Sequence, residues 1–322
     1  MKQPSKFQDT PTMYFIGVTT GKSSIMKIFP AWAKMLGRPD LRLEGIDLPL
    51  HASPELYRRA VEQIKYDPLS LGALVTTHKI NLYQAARDLF DYADAYAVTC
   101  GEVSSISKAE GRLEGHAKDP ITAGLSLDSI LGEGYFGGTG AEILCLGAGG
   151  STTAIILHLL NKPDSASRPS RMIVVNRSPE RIEELKHMVS ALGSDVEFEW
   201  HVHTDPERND SLMAALPPGS LVINATGMGK DLPGSPITNL GQFPKRGIVW
   251  ELNYRGELEF LSQARAQAEL RNLSVEDGWT YFVHGWTQVI AQVLHVEIDG
   301  RTFEELSSSA ALIAGSAAPS LA

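Results

Sequence analysis

Two residues of opposite charge stand at similar junctions in this sequence. Lys79 nearly closes GALVTTHKI, where a small apolar run gives way to the helix-like INLYQAARDLF. Asp119 closes GRLEGHAKD, just before Pro120 and the helix-like PITAGLSLDSIL. A helix start carries partial positive charge, so a lysine there either points into water or meets an anion. If both strand-like runs end on one edge of a sheet, the ammonium and the carboxylate can meet in a cleft. Such a pair can take the proton of a substrate hydroxyl, the amine acting as base while the carboxylate orients it or shares the proton. On spacing alone a surface ion pair is the better reading. His78, beside Lys79, reads as a turn residue with catalysis as the lesser alternative.

Proton removal is half of an alcohol oxidation, and the other half needs a hydride acceptor. GAGGSTTA follows the buried-strand pattern Glu142 to Leu146 and opens a helix, the context in which a glycine loop binds a dinucleotide. Gly147 suits the tight turn, Gly149 allows a pyrophosphate to approach the backbone, and Gly150 begins a helix whose free amides favour an anion. Ser151 stands at the place of the third glycine of the fingerprint, and the small Ala154 permits close helix–strand packing. The next strand ends in Asn176, Arg177 and Ser178. An acidic residue there would accept from the ribose 2′-hydroxyl of NAD, whereas an arginine suits a 2′-phosphate, so NADP is expected. Arg181 is either a second phosphate ligand or part of a solvated helix face. Asn224, Thr226 and Gly227 in NATGMG either lie against the nicotinamide ribose or form an ordinary glycine turn.

These residues need a scaffold. Strand-like MYFIGV (Met13 to Val18), LRLEGIDLPL and the run ending in Lys79 alternate with helix-like segments. One of these is SPELYRRAVEQIKY, with Ser53 as N-cap and Pro54 at its first position. Pro30 kinks the first helix or marks an early turn. The second half repeats strand and helix, which predicts an α/β chain with parallel sheets and right-handed crossovers. The 322 residues suggest two domains: 1–121, completed by 276–322, and 122–275. A net charge of −9 argues against nucleic-acid binding. Cys100 and Cys145 both read as buried thiols in strand-like runs, without a disulfide or metal site. No apolar run approaches the length of a membrane helix, and MKQPSKFQDTPT lacks a secretory pattern, so a cytoplasmic setting is expected. The tail SSSAALIAGSAAPSLA is expected to be frayed or loosely helical.

From about Tyr14 to Val296 the order of motifs resembles the shikimate dehydrogenase family. The resemblance implies an α/β substrate domain, an NADP-binding Rossmann domain, and last helices that return to the substrate domain. It also implies a place in aromatic amino acid biosynthesis. VTTHK is similar to the family's lysine motif and GRLEGHAKD to the segment ending in its aspartate, so Lys79 and Asp119 take the catalytic roles by resemblance. GAGGSTTA, NRS and INATGMG match its cofactor segments in order. Substrate contacts are implied for Ser23, Thr76, Ser104, Tyr254 and Gln288.

Departures cluster in those contacts. The lysine loop is one residue shorter than the family's and lacks its proline. GKSS leaves Gly21 at the first of two serine positions, with Lys22 before Ser23. Ser104 stands where an asparagine is expected, and Lys118 replaces an uncharged partner beside Asp119. Gly285 replaces a glutamine, with His284 and Gln288 nearby. The implied partner is a small hydroxylated ring carboxylate acted on by a monomer or homodimer without a metal. Because a site built for hydroxyls discriminates through paired polar groups, these changes point to an altered substrate, quinate-like or amino-substituted. A cofactor-binding sensor without turnover is the reading from another class.

Overall fold

The computed structural model describes residues 8–230 and 232–315. Contacts divide the chain into two units, one running from the N-terminus to Lys118 and resuming at Val283, the other spanning Asp119–Phe282.

The first unit begins with β1 (Thr12–Gly17), α1 (Ile25–Met35), β2 (Arg42–Asp47), α2 (Pro54–Tyr66), β3 (Ser70–Val75) and α3 (Lys79–Ala86). Short β4 (Tyr92–Ala93) and α4 (Ala95–Cys100) precede the hairpin of β5 (Ser105–Ala109) and β6 (Arg112–His116). The strands form one sheet in the order β2-β1-β3-β5-β6-β4. β1 pairs in parallel with β2 and β3, while β5 is antiparallel to both β3 and β6. Sequence dictates much of this locally. In α2, Ser53 holds extended backbone at the N-cap and Pro54 takes the first position. Tyr57, Ala60, Val61 and Ile64 recur at helical spacing and are buried. α1 continues through Pro30, which lies exposed inside the helix, so Pro30 does not end it.

The second unit comprises α5 (Asp119–Leu131), α6 (Tyr135–Thr139), β7 (Ile143–Leu146), α7 (Gly150–Leu160), β8 (Arg171–Asn176), α8 (Pro179–Leu192), β9 (Glu197–Val202) and α9 (Pro206–Ala214). It continues through β10 (Leu221–Asn224), β11 (Ile248–Glu251), α10 (Glu259–Arg271), β12 (Ser274–Glu276) and the start of α11 (Trp279–Leu294). Its six strands are all parallel, in the order β12-β11-β10-β7-β8-β9. That is the doubly wound order in which ligands bind beyond the carboxyl ends of the strands. The central strands β7, β10 and β11 are buried at every residue, as expected of a parallel sheet covered on both faces. The rest of α11 and α12 (Gly300–Ala314) belong to the first unit, where the Trp32 indole donates to the Leu306 carbonyl at 2.9 Å.

Several expectations change. Cys100 ends a helix and is half-buried, because Asp94 caps α4 by accepting from the Ala97 amide at 2.7 Å. Cys145 is the buried strand thiol, and burial pushes its pKa up to about 12. The tail is regular helix to Ala314, its later residues lying outside the described ones. Among the described residues no helix is long and apolar enough to cross a membrane, and no His, Cys, Asp and Glu group could hold a metal ion.

Candidate active site

In the second unit, the carboxyl ends of β7, β8 and β10 border a cleft of about 780 Å³. Gly147 adopts φ 119°, and a Cβ there would lie 2.5 Å from the Ala225 carbonyl oxygen, so only glycine fits where the two loops cross. Its carbonyl accepts the Thr152 hydroxyl at 2.9 Å, tying the turn to α7. Gly149 is the N-cap, with φ −89° and an exposed backbone. A Cβ at Gly149 would meet nothing within 4 Å, leaving room for a group that approaches the start of α7 at Gly150 and Ser151. These observations fit a pyrophosphate.

At the end of β8, Asn176, Arg177, Ser178 and Arg181 line the cleft. Ser178 caps α8 by accepting from the Arg181 amide at 3.3 Å and donates to Glu180 at 2.7 Å. The Arg181 guanidinium pairs with Glu184 at 2.8 Å. Arg177 is exposed on the rim, the position a 2′-phosphate needs.

Ala225, Thr226, Gly227 and Met228 form another wall. Asn224 itself is buried and turned away from the cleft into a polar cluster. Its amide donates to Glu251 at 2.6 Å, while its carbonyl accepts both the Thr226 amide (3.1 Å) and hydroxyl (2.6 Å). Glu251 and Asn253 were not anticipated from sequence, since only the strand register sets Asn224 opposite Glu251. Tyr281, on α11, reaches Ser151 at 3.5 Å. Tyr254 packs against Phe282, the ring centroids 4.4 Å apart.

In the first unit, β3 ends at Val75 and Lys79 is the first residue of α3, so a short turn delivers the lysine and not the strand. Thr76 still pairs with β1 through its amide to the Ile16 carbonyl at 2.9 Å. Thr77 takes φ 56°, and the His78 amide donates to the Thr76 carbonyl across it. A non-glycine residue in a three-residue turn at positive φ is strained, and such strain persists only where surroundings enforce it. His78 is part of that enforcement. Its ring is buried, with Nε2 3.1 Å from the Leu48 carbonyl and Nδ1 3.1 Å from the Tyr57 hydroxyl. A carbonyl only accepts, so Nε2 carries the hydrogen and Nδ1 accepts from tyrosine. Burial lowers the His78 pKa. Both nitrogens are engaged within the protein, and the catalytic alternative for His78 is set aside.

Lys118 is held from the other side. Its Nζ donates to Gln292 at 2.6 Å, its amide donates to the buried Ser104 hydroxyl at 2.7 Å, and burial lowers its pKa against the opposing pull of Asp94. From Gln292 a chain continues through Ser107 (3.5 Å) and His116 (3.1 Å) to Asp94 (3.4 Å). The order serine, histidine, aspartate is that of a nucleophilic triad, but Ser107 exposes no surface, so the chain is an internal brace. Gln288 lies one turn before Gln292 on α11 and is half-buried. His284 stacks on Phe303 at 4.1 Å, with its Nδ1 buried and unpaired; burial drives its pKa down to about 4. In the first loop Thr20 donates its amide and hydroxyl to Asp47 at 2.8 and 2.6 Å. Ser23 follows, half-buried, after the exposed Lys22.

Lys79, Thr76, Ser23, Ser104, Lys118 and Gln288 therefore share the first unit. Asp119, which begins α5, and Tyr254 fall in the second with the cofactor segments.

No family model matches the chain. Among curated proteins, it is 27% identical over 280 residues to the NADP(+) shikimate dehydrogenase of Methylobacterium radiotolerans, covering 85% of this chain and 88% of that one. Among solved structures, quinate dehydrogenase from Corynebacterium glutamicum in complex with NAD superposes with a TM-score of 0.70 at 20% identity, covering 94% of this chain and all of that one (100%). Shikimate dehydrogenase from Aquifex aeolicus gives 0.69 at 20% identity over 95% and 99%. The structural likenesses show the fold, and the match to the curated relative covers most of both chains. On these grounds the chain is similar in sequence and in fold to shikimate and quinate dehydrogenases.

Proposed function

We propose that this protein is an NADP-dependent oxidoreductase that interconverts a secondary alcohol and a ketone on a small hydroxylated ring carboxylate, with Lys79 and Asp119 handling the proton. A dinucleotide cleft whose second strand ends in Asn176-Arg177, where NAD selection would place an acid, carries the cofactor half of this reading. When bound, the nicotinamide accepts or returns a hydride at the carbinol carbon. In the oxidising direction Lys79 takes the hydroxyl proton as the hydride leaves, and Asp119 shares in handling that proton. In the reducing direction Lys79 returns that proton to the nascent alkoxide. The strained Thr76–His78 turn supports this assignment, because the first residue of α3 is held where a relaxed loop would let it swing.

Curated relatives named shikimate dehydrogenase support shikimate and 3-dehydroshikimate as the alcohol and ketone, while the residue types at Lys22, Ser104, Lys118 and Gly285 are the reason to test other ring acids beside them. The test is NADPH formation by the purified protein with shikimate, quinate and amino-substituted ring acids. Turnover of any of them supports the enzyme reading, and the order of kcat/KM ranks the substrates. Tight NADPH binding with no turnover across a broad panel of alcohols overturns it in favour of a sensor.

A further inference from the structure

β10 and β11 lie side by side with Asn224 opposite Glu251, at the edge where the cleft wall begins. Neither residue exposes surface. Three N–H groups converge on the Glu251 carboxylate: the Asn224 amide on Oε2 at 2.6 Å, and the Asn253 backbone and side-chain amides on Oε1 at 2.8 and 2.6 Å. A carboxylate only accepts, so it fixes which end of each neighbouring amide faces it. Asn224 must turn its nitrogen to Glu251, which leaves its oxygen for the Thr226 amide and hydroxyl. The Thr226 hydroxyl oxygen in turn accepts the Met228 amide at 3.2 Å. Asn253 reaches the Thr226 and Met228 carbonyls, each at 3.3 Å. One buried acid thus sets the donor and acceptor sense of the bonds that Asn224 and Asn253 make to the loop at Thr226 and Met228.

We propose that Glu251 is a positioning residue that latches this loop into the wall of the nucleotide cleft through Asn224 and Asn253. The proposal rests on the reading that the cleft takes NADP. Burial raises the Glu251 pKa to about 7, Asp277 adding to that rise and the amides of Asn253 and Asn224 opposing it.

The polarity makes a reversible prediction. In Glu251→Gln the fixed Asn253 backbone amide keeps the new carbonyl, so the new NH2 faces Asn224. Asn224 must flip, and its nitrogen then opposes the Thr226 amide. In Asn224→Asp two carboxylates face each other. The double variant E251Q/N224D restores the network, with donor and acceptor exchanged only in the bond between positions 224 and 251, and keeps the original net charge. Three proteins are compared with wild type by NADPH fluorescence titration and by amide hydrogen exchange of residues 225–229. Each single variant is expected to weaken NADPH binding about tenfold or more and to speed exchange in the loop, and the double variant to return both to within about threefold of wild type. Unchanged loop exchange in E251Q overturns the latch, as does a double variant no better than E251Q in binding, exchange or folding. A wild-type protein that fails to bind NADPH overturns the cofactor reading instead, and loop exchange then still decides for or against the latch.

Discussion

At Lys79 the chain departs from the straightforward reading of its own pattern. Thr76 and Thr77 suit a strand, and a strand ending in lysine is what the residues suggest, yet the strand stops at Val75 and the intervening turn places Thr77 at φ 56°. Beside this turn His78 is locked between the Leu48 carbonyl and the Tyr57 hydroxyl. If Lys79 carries the proton, Lys79→Ala lowers kcat by about 10²–10⁴ while NADPH affinity stays within about twofold. Equal loss of both, measured by turnover and by fluorescence titration, would assign Lys79 to cofactor binding. His284 yields a stability prediction. Its buried imidazole has a pKa of about 4, below the ordinary 6.5, so the unfolded chain takes up the proton first. Its contribution is present above about pH 6.5 and is lost as pH falls toward 4, by up to about 3 kcal/mol. Glu251 acts in the opposite sense: its pKa is raised from 4.5 to about 7, so stability falls as pH rises across that interval. Urea unfolding of His284→Leu at pH 5 and pH 8 separates the two. The variant is expected to lose less stability on acidification than wild type, and an unchanged difference would count against the assignment to His284.

The elements were legible where local chemistry is sufficient. The strand–glycine–helix sequence around Gly147 and the capped, amphipathic α2 follow from residue type and spacing. β9 was missed although EFEWHV alternates polar and apolar residues at the period of a half-buried strand, here at the edge of the sheet. α4 was misread because its cap, Asp94, looks like any other loop acid until its carboxylate is seen on Ala97. The glycine loop separates fold from ligand. Gly147→Ala forces a Cβ onto the Ala225 backbone at positive φ, and is expected to destabilise the protein by about 1–3 kcal/mol. Gly149→Ala adds a methyl group to open space at an ordinary φ, so its melting temperature should match wild type while NADPH affinity falls about tenfold. Calorimetry and titration of both variants check the pair, and wild-type affinity in Gly149→Ala would remove the pyrophosphate from that turn.

At the scale of the molecule, a ligand that binds only the folded state stabilises it by mass action, about 2.7 kcal/mol at one hundred times Kd. NADP is therefore expected to raise the melting temperature more than equal concentrations of NAD, and Arg177→Ala to bring the two shifts together. Equal shifts with the wild-type protein would deny Arg177 a 2′-phosphate. The sequence by itself determined the α/β class, the order of cofactor segments and the residue types offered for catalysis. A helix start after a glycine turn, an arginine at a strand end and helical periodicity are properties of neighbouring residues. Only the tertiary structure decided which of those residues are occupied internally. Asn224 is turned to Glu251 by strand register, Lys118 is tied to Gln292 across 174 positions of chain, and His78 is held by residues from two other elements. Each of these bonds joins groups from separate elements, so its existence depends on sheet register and helix packing, which residue spacing along the chain does not encode.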